Sequence, residues 1–242
     1  MRYLIISDIH SNLAALQAVL ADTPPFDEVW CLGDVVGYGP DPNECTEMVK
    51  ELSLRCVAGN HDWAAINKLD ISDFNPDAMR ACLWTRKQLS AANWQFLTDL
   101  GERVVEKGFT IVHGSPRYPI WEYISHPYSA EQNFAYFTTP YCLVGHTHVP
   151  LIFRHRAEGE DIEVIIPSIG EPIVLAEGRW IINPGSVGQP RDGDPRASYM
   201  LLDMDACTVE YRRVPYDIES TQRKMKESGL PHRLAMRLTF GW

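Results

Sequence analysis

The sequence lacks both a long uninterrupted hydrophobic run and a paired-cysteine motif. No stretch of its 242 residues is apolar for long enough to span a membrane, and the apolar run at residues 3–6 is too short for a signal peptide. The six cysteines form no CxxC pair, and Cys31, Cys56 and Cys142 lie inside apolar runs, which is typical of buried, reduced packing residues. We therefore expect a soluble cytoplasmic protein.

An excess of basic residues is also lacking, as are internal repeats and low-complexity tracts. The 22 Lys and Arg residues against 32 Asp and Glu residues give a net charge of −10, which argues against extended nucleic-acid binding. A phosphate substrate is not excluded, because bound divalent metal ions can dominate the charge inside a pocket. With 45% hydrophobic and 22% charged residues, we expect one globular α/β domain over residues 1–242.

The order of the predicted elements indicates an α/β fold. Helix starts are predicted at Asp41-Pro42, Asn75-Pro76 and Ser90, a capping box at Ser129 and Gln132, and a last helix at residues 217–226. Two packed sheets with helices outside would account for this mixture. Strands are predicted at residues 3–6, 29–32, 54–57, 104–106, 109–112, 142–144, 151–156, 162–166, 180–182, 199–202 and 209–214.

Five short polar motifs directly follow predicted strands. Because open α/β sheets place their binding sites at the ends of parallel strands, the motifs can meet in one crevice. Imidazole and carboxylate side chains together suit transition metals such as Zn, Fe, Ni and Mn. The motifs are Asp8-Ile9-His10, Gly33-Asp34, Gly59-Asn60-His61-Asp62, His113-Gly114 and Gly145-His146-Thr147-His148.

Each motif alone also has a purely structural interpretation. The first is compatible with a cap or a surface turn, Gly33-Asp34 is a common turn pair, and His113 alone is typical of a core histidine. Residues 145–148 are more specific, because two histidines that flank one residue after an apolar strand rarely serve packing. The recurrence of all five motifs after strands favours a shared metal site.

The ordered series resembles the calcineurin-like metallophosphoesterase superfamily, whose pattern is D-x-H, G-D, G-N-H-[DE], H and G-H-x-H. The turn Asn183-Pro184-Gly185-Ser186-Val187-Gly188 resembles the smaller bacterial and archaeal phosphodiesterases of that superfamily. The resemblance implies a four-layer α/β/β/α sandwich of two mixed sheets, with two divalent transition-metal ions. It implies that Asp34 bridges the ions and that the remaining ligands are Asp8, His10 and His148 for one ion and Asn60, His113 and His146 for the other.

The resemblance further implies the catalytic roles. A metal-bridging hydroxide would attack the phosphorus in line, and His61 would protonate the leaving group as general acid. Asp62 would orient or charge the His61 ring. The metal identity stays open among Mn, Fe, Zn and Ni, with manganese included as a candidate.

The substrate class is predicted from one departure from the family pattern. Phosphoprotein phosphatases carry an Arg that grips the phosphate at the position of Ala58, and its absence favours a small phosphodiester, such as a nucleotide, over a monoester. Four further residues are candidate substrate contacts, each with a structural alternative such as helix capping for Asn12 and surface solvation for the arginines. They are Asn12, Tyr38, Arg117 and Arg191.

Several alternatives remain at this level. A non-catalytic binding scaffold of the same fold is one, although a scaffold has no need of His61. A phosphomonoesterase and a dinucleoside polyphosphate hydrolase are others, and a nuclease is disfavoured by the acidic charge. The aromatic segment at residues 115–128 could either form a wall of the substrate pocket or cover the edge of a sheet. The apolar tail at residues 234–242 could dock either on this chain or on a partner. The sequence does not predict an oligomeric state.

Overall fold

Two six-stranded sheets form the centre of the fold. The computed structural model describes residues 1–52, 54–157 and 159–242. In the described chain the strands are β1 (Arg2–Ile6), β2 (Glu28–Cys31), β3 (Leu54–Cys56), β4 (Arg103–Glu106), β5 (Phe109–Val112), β6 (Tyr141–Leu143), β7 (Pro150–His155), β8 (Glu163–Ile165), β9 (Ile173–Val174), β10 (Arg179–Pro184), β11 (Ala197–Asp203) and β12 (Thr208–Val214). The first sheet has the order β3-β2-β1-β11-β12-β9 and the second β4-β5-β6-β10-β7-β8.

Eight α-helices accompany the sheets in the part of the chain described. They are α1 (Leu13–Asp22), α2 (Pro42–Glu51), α3 (Asn60–Ala65), α4 (Pro76–Gln88), α5 (Ala91–Asp99), α6 (Pro127–Asn133), α7 (Ile218–Glu227) and α8 (His232–Phe240). None of the helices in residues 1–52, 54–157 and 159–242 combines the length and the apolar character that a membrane crossing requires.

Alternating side chains of β1 show how the layers are built. Tyr3 and Ile5 pack into the cluster shared with Phe109, Trp180 and other residues of the second sheet. Leu4 and Ile6 point to the opposite face and pack with residues of α1, α2 and α5. This two-residue period is that of a strand buried on both faces. The predicted four-layer sandwich of two mixed sheets flanked by helices is confirmed.

Parallel pairing brings the polar motifs to common edges. β1 pairs in parallel with β2, and β2 with β3, while β5 pairs in parallel with β6 in the other sheet. The carboxyl ends of neighbouring parallel strands lie side by side, so the loops that follow them are neighbours too.

Some predicted helix boundaries need correction. Helix α6 begins at Pro127 with His126 as its N-cap, so the predicted capping box at Ser129 is wrong. Proline with its fixed φ suits the first helical position, which places Ser129 inside the first turn. Asp41 is the N-cap of α2 but makes no side-chain cap bond; its carboxylate accepts a hydrogen bond from Lys224 instead. The last predicted helix is present as α7, but a further helix, α8, follows it.

Candidate metal centre

Eight polar side chains of the sequence motifs converge where five strands end. Each of the eight is at most 4% exposed. Asp8 and His10 follow β1, and Asp34 follows β2. The others lie at the start of α3 and after β5 and β6; they are Asn60, His61, His113, His146 and His148. Buried polar groups at this density require partners or bound cations.

The backbone at these positions is held in an unusual conformation. Five of the residues have φ between 49° and 64°, in the left-handed region that non-glycine residues seldom adopt. They are Asp8, His10, Asp34, His146 and His148. Such strain costs on the order of 1–3 kcal/mol per residue and persists where the surrounding fold enforces it, typically at functional sites.

Asp8, His10 and His148 form the first cluster. One ligand atom from each lies within 4.8 Å of the others. The Nε2 atoms of the two histidines are 3.1 Å apart, and Asp8 Oδ1 is 3.3 Å from Nε2 of His148. Two atoms that bind the same zinc ion at about 2.1 Å in a tetrahedral site are roughly 3.3 Å apart, so these spacings match a metal site.

Asp34, His113 and His146 form the second cluster. Nε2 of His113 is 3.3 Å from Asp34 Oδ2, 3.1 Å from Nδ1 of His146 and 3.2 Å from the side-chain oxygen of Asn60. Asp34 Oδ2 is also 3.6 Å from Nε2 of His10 in the first cluster. The Asp34 carboxylate therefore stands between the two clusters.

The outward ring nitrogen of each clustered histidine faces a backbone carbonyl. A carbonyl can only accept, so the outward nitrogen donates its proton and the inward nitrogen keeps its lone pair, as metal-binding histidines require. The four pairs are His10 Nδ1 with Val36 O (3.2 Å), His113 Nδ1 with Leu32 O (2.8 Å), His146 Nε2 with Trp121 O (3.1 Å) and His148 Nδ1 with Gln189 O (2.6 Å).

Two buried carboxylate oxygens show that this constellation fits metal ions. Asp8 Oδ1 and Asp34 Oδ2 are buried and have no hydrogen-bond partner within the described chain. In the neutral form that binds a metal ion, the histidines beside them present lone pairs, which cannot donate to these oxygens. A buried anionic oxygen without a donor is costly unless a cation compensates it, and a cation at each cluster would do so.

Electrostatics in the cluster agree with this assignment. Burial lowers the pKa of His10, His146 and His148 well below its ordinary value, which keeps these rings in the neutral, metal-binding form. Burial also acts to lower the pKa of His113, but the Asp34 and Asp8 carboxylates outweigh it and raise that pKa to about 10. In the absence of a cation, a proton on His113 thus balances part of the carboxylate charge.

Asp62 has a different contact set from the one expected. Its carboxylate accepts three backbone N–H bonds, from Asp34 (2.8 Å), Gly59 (2.9 Å) and Val36 (3.0 Å), and the His61 ring is not among its partners. The structure therefore shows no hydrogen bond through which Asp62 would orient the His61 ring, and that role stays a prediction. Asp62 instead holds the backbone of the loop that carries Asp34.

Gly59 permits a close approach at the same point. A Cβ at position 59 would overlap the Asp34 carboxylate and lie 2.5 Å from its backbone nitrogen. The glycine of the third motif is thus required by sterics.

His61 lies beside the clusters, with its own distinct partner. Its Nδ1 is 3.3 Å from Sγ of Cys82, whereas the four histidines described above face carbonyls. Its ring centroid is 4.3 Å from that of Tyr38 and 4.9 Å from that of His10. Burial lowers the pKa of His61 to about 4, so the ring is neutral at neutral pH.

A cleft of about 190 Å³ opens over these groups. Tyr38, His61 and Arg191 line it, so three of the predicted substrate-contacting or catalytic residues are placed at this cleft. Trp121 and Tyr123 of the aromatic segment line it too, and Tyr123 stacks on His146 with ring centroids 3.9 Å apart. Further lining comes from residues that the sequence motifs did not indicate: Asp73, Phe74, Asn75 and Ala78.

Arg191 supplies the positive charge of this cleft. No other Arg or Lys lines its described wall. Nη2 of Arg191 is 2.9 Å from the side-chain oxygen of Gln189 and 3.4 Å from the Tyr38 hydroxyl. Its Nε is buried and has no hydrogen-bond partner in the described residues, which leaves an N–H donor available for an anion.

The other two candidate substrate residues lie elsewhere. Arg117 pairs with Glu122 and with Gln132, and neither it nor Asn12 lines the cleft. Asn12 is the N-cap of α1; its side chain accepts from the backbone nitrogen of Ala15 and donates to Gly188 O. Both side chains therefore have structural partners.

Comparison with known proteins places the chain among related sequences. Residues 1–206 match the model of the calcineurin-like phosphoesterase superfamily domain. A metallophosphoesterase from Sphaerobacter thermophilus has 51% identity and a TM-score of 0.92, with 100% of this chain and 99% of that chain covered. An uncharacterized protein from Methanocaldococcus jannaschii is 39% identical over 98% of this chain and 97% of its own length.

A partial match links the chain to a named activity. A symmetrical bis(5'-nucleosyl)-tetraphosphatase from Pectobacterium carotovorum is 36% identical over 101 residues. The matched region is 35% of this chain and 36% of that relative, so only about a third of either protein is compared.

Proposed function

This chain belongs to the calcineurin-like phosphoesterase superfamily and is a phosphoric ester hydrolase, and we propose that it is a phosphodiesterase with a dinuclear metal centre. The observation that carries the proposal is the pair of buried carboxylate oxygens, Asp8 Oδ1 and Asp34 Oδ2, that lack hydrogen-bond partners in the described chain while facing histidine lone pairs. This arrangement needs cations, and the cleft above it is open to a substrate.

Seven residues would hold two divalent ions of the Mn, Fe, Zn or Ni type. The proposed ligands are Asp8, His10 and His148 for one ion, Asn60, His113 and His146 for the other, and Asp34 for both. When bound, such ions supply Lewis acidity toward phosphate oxygens and lower the pKa of water to near neutrality. His10, His146 and His148 already have the neutral form that this binding requires, and His113 would release its proton to solvent when the ion binds.

His61 and Arg191 are proposed to act on the substrate directly. The Arg191 guanidinium would donate to a nonbridging phosphate oxygen through N–H groups that face the cleft. His61 would donate a proton to the leaving oxygen. Its pKa is about 4 because of burial, and the negative charge of a bound phosphate would raise it, since an adjacent anion favours the imidazolium form.

The preference for a diester rests on position 58. Ala58 is fully buried in the cluster between the first sheet and its helices, and it does not line the cleft. The cleft therefore has one guanidinium, from Arg191, where a doubly charged monoester would need more positive charge. The proposed substrate is a small phosphodiester, including nucleotides.

Two other functions are alternatives to the phosphodiesterase. A dinucleoside polyphosphate hydrolase is favoured by the name of the partially matched relatives. A binding scaffold is disfavoured by the orphan carboxylate oxygens and by His61, which groups with His10 and Asp34 but is not a ligand in the proposed two-ion set. The six free cysteines support the further proposal of a reducing, cytoplasmic location.

The test is hydrolysis of bis-p-nitrophenyl phosphate against p-nitrophenyl phosphate by chelator-treated protein, with Mn, Ni or Zn restored. We expect metal-dependent turnover with the diester preferred. His61→Ala should keep two metal ions and lose about 100- to 10,000-fold in turnover, the usual contribution of general acid catalysis. Exposed His232 provides the matched control as His232→Ala, with turnover expected to stay at that of the unchanged protein.

Two outcomes would contradict the proposal. Faster hydrolysis of the monoester than of the diester would show that the protein is a phosphomonoesterase and not a phosphodiesterase. Hydrolysis of neither compound by protein that holds two metal ions would favour the scaffold.

A further inference from the structure

Helix α8 builds a wall next to the metal cleft. Its buried residues Leu234 and Leu238 pack in one hydrophobic cluster with Tyr38 and Phe74, which line the cleft. Helices α7 and α8 lie beyond residues 1–206, the part that matches the superfamily model. The wall is therefore a feature of this chain that the shared domain does not explain.

Residues of α8 also line a groove near the metal cleft. Its volume is about 600 Å³, and it is lined by Pro76, Asp77, Arg233, Arg237 and Trp242 together with Leu234 and Asn75. Asn75 lines both the groove and the metal cleft, so one residue separates the two spaces. Sites for small molecules typically measure about 300–1,000 Å³, which makes the groove large enough for a nucleotide-sized group.

The groove concentrates positive charge in an acidic protein. Arg233 and Arg237 are one helical turn apart on α8, and neither pairs with a side-chain carboxylate in the described chain, although Asp77 lines the same groove. Nε of Arg237 donates to the Trp242 carbonyl oxygen (2.6 Å). Burial, together with the neighbouring charges of Arg191 and Arg233, lowers the pKa of Arg237. An anion in the groove would relieve this repulsion among like charges.

The N-terminus of α4 adds to the positive electrostatic potential of the groove. Asn75 is the N-cap and Pro76 the first residue of this 13-residue helix, and both line the groove. The positive end of a helix dipole favours anions within about one turn.

Trp242 places an aromatic surface beside the arginines. The residue is 63% exposed, and its ring stacks on Phe240 with centroids 4.7 Å apart. The tail is held to the body of the protein, because the backbone nitrogen of Gly193 donates to Gly241 O (2.9 Å). Gly241 has φ of 67°, and a Cβ there would collide with the backbone of Asp194, so only glycine fits this turn. A fixed, exposed indole is suited to stacking on a nucleobase.

We propose that this groove binds the distal part of a nucleotide substrate: a phosphate group beyond the scissile ester at Arg233 and Arg237, and the nucleobase against Trp242. The line of guanidinium groups from Arg191 through Arg237 to Arg233 would follow the phosphate chain away from the metal centre. The inference rests on the proposed function and narrows its substrate to phosphoesters with an additional phosphate and a base.

Two substrates distinguish binding in the groove from catalysis at the metal centre. The 5'-phosphorylated dinucleotide pApA carries a phosphodiester, an additional phosphate and a base, and bis-p-nitrophenyl phosphate carries the phosphodiester alone. We expect Arg233→Gln combined with Arg237→Gln to lower the ratio of kcat/KM for the first compound to kcat/KM for the second by about tenfold or more. Trp242→Ala should lower the same ratio. The matched control is Arg223→Gln, an arginine of α7 outside the groove, and the ratio for this variant should equal that of the unchanged protein.

A binding measurement makes the inference independent of turnover. Calorimetric titration of ADP into chelator-treated protein should give a Kd that rises about tenfold in the double arginine variant and stays constant in Arg223→Gln. Arg233 is exposed, so Arg233→Gln alone is a second variant that keeps the fold.

The two hypotheses fail in distinguishable ways. The groove inference would be overturned if the arginine variants changed neither the ADP Kd nor the ratio of kcat/KM for pApA to kcat/KM for bis-p-nitrophenyl phosphate. Absence of turnover on both compounds, with metals bound and the ADP result as expected, would overturn the phosphodiesterase instead and leave the groove as a nucleotide site.

Discussion

Replacement of Asp62 by Asn tests the network that positions the metal ligands. The Asp62 carboxylate accepts three backbone N–H bonds, from Asp34 and Gly59 at Oδ2 and from Val36 at Oδ1. The side chain is fully buried. An amide in the same place has one oxygen, which can keep the two bonds at Oδ2, while its NH₂ group meets the N–H of Val36, donor against donor.

The expected loss of stability follows from these contacts. Burial raises the pKa of Asp62 to about 7, so unfolding is measured at a pH above this value, where the carboxylate is ionised. A hydrogen bond to a charged group contributes about 1.5–3 kcal/mol, and a buried donor left unpaired costs about 1–3 kcal/mol. Asp62→Asn should therefore lower the free energy of unfolding by about 2–5 kcal/mol. For a chain of this size the melting temperature should fall by roughly 5–15 °C. Metal binding should weaken too, because Val36 O holds the His10 ring and the loop carries Asp34.

Urea unfolding of chelator-treated protein is the assay, since the three hydrogen bonds do not depend on metal. Metal content after reconstitution is the second readout. Asp161→Asn removes the same charge at an exposed position and should leave both readouts at their original values. An unfolding free energy for Asp62→Asn within about 0.5 kcal/mol of the unchanged protein, a change typical of surface substitutions, would refute the assigned role.

Three more outcomes are expected. Gly59→Ala should destabilise the protein and lower its metal content, because the added Cβ would overlap the Asp34 carboxylate. Gly101→Ala is the control, because a Cβ there meets nothing closer than 3.9 Å. Equal thermal stability and metal content for the two variants would be inconsistent with this packing. Cys82→Ala should lower kcat for diesters with alkyl leaving groups more than for nitrophenyl esters, because the thiol is the partner of His61 Nδ1. Cys82→Ser should restore kcat for the alkyl diesters. An equal loss of kcat for both ester types would argue that this contact has no role in proton donation. Chelation should lower the melting temperature, since a ligand at 1,000 times its Kd stabilises by about 4 kcal/mol; an unchanged melting curve would show that no stabilising ion was bound.

The fold was largely predictable because its signals are local. The alternation in β1, with Tyr3 on one face and Leu4 on the other, is readable from the sequence. The N-caps at Asn75 and Ser90 likewise act through the three residues that follow them. Helix α8 was missed although Leu234 and Leu238 have helical spacing, because Gly229 and Pro231 before it suggest the end of the preceding helix.

The side chains that complete the site were less predictable. Phe74 lines the cleft from the approach to α4, and no motif marks it. Asp62 is adjacent to His61 in sequence, but successive residues of a helix point about 100° apart, so the two side chains face different partners. The guanidinium of Arg117 is held by Glu122, five residues further along. For Asp62 and for Arg117, the partner in the structure therefore differs from the one that adjacency in sequence suggested.

By itself the sequence determined which chemistry the protein can carry: five strand-end motifs contain the histidine, carboxylate and amide groups that a pair of metal ions needs. Side-chain chemistry and strand periodicity are local properties, and each is set by a few neighbouring residues. Only the tertiary structure decided which ring nitrogens face inward, which carboxylate oxygens lack a donor, and that α8 packs behind Tyr38 and Phe74 of the cleft with Arg237 near Arg191. These relations join residues up to about 140 positions apart, such as Asp8 and His146, and they exist only once parallel strands and packed helices bring the chain together.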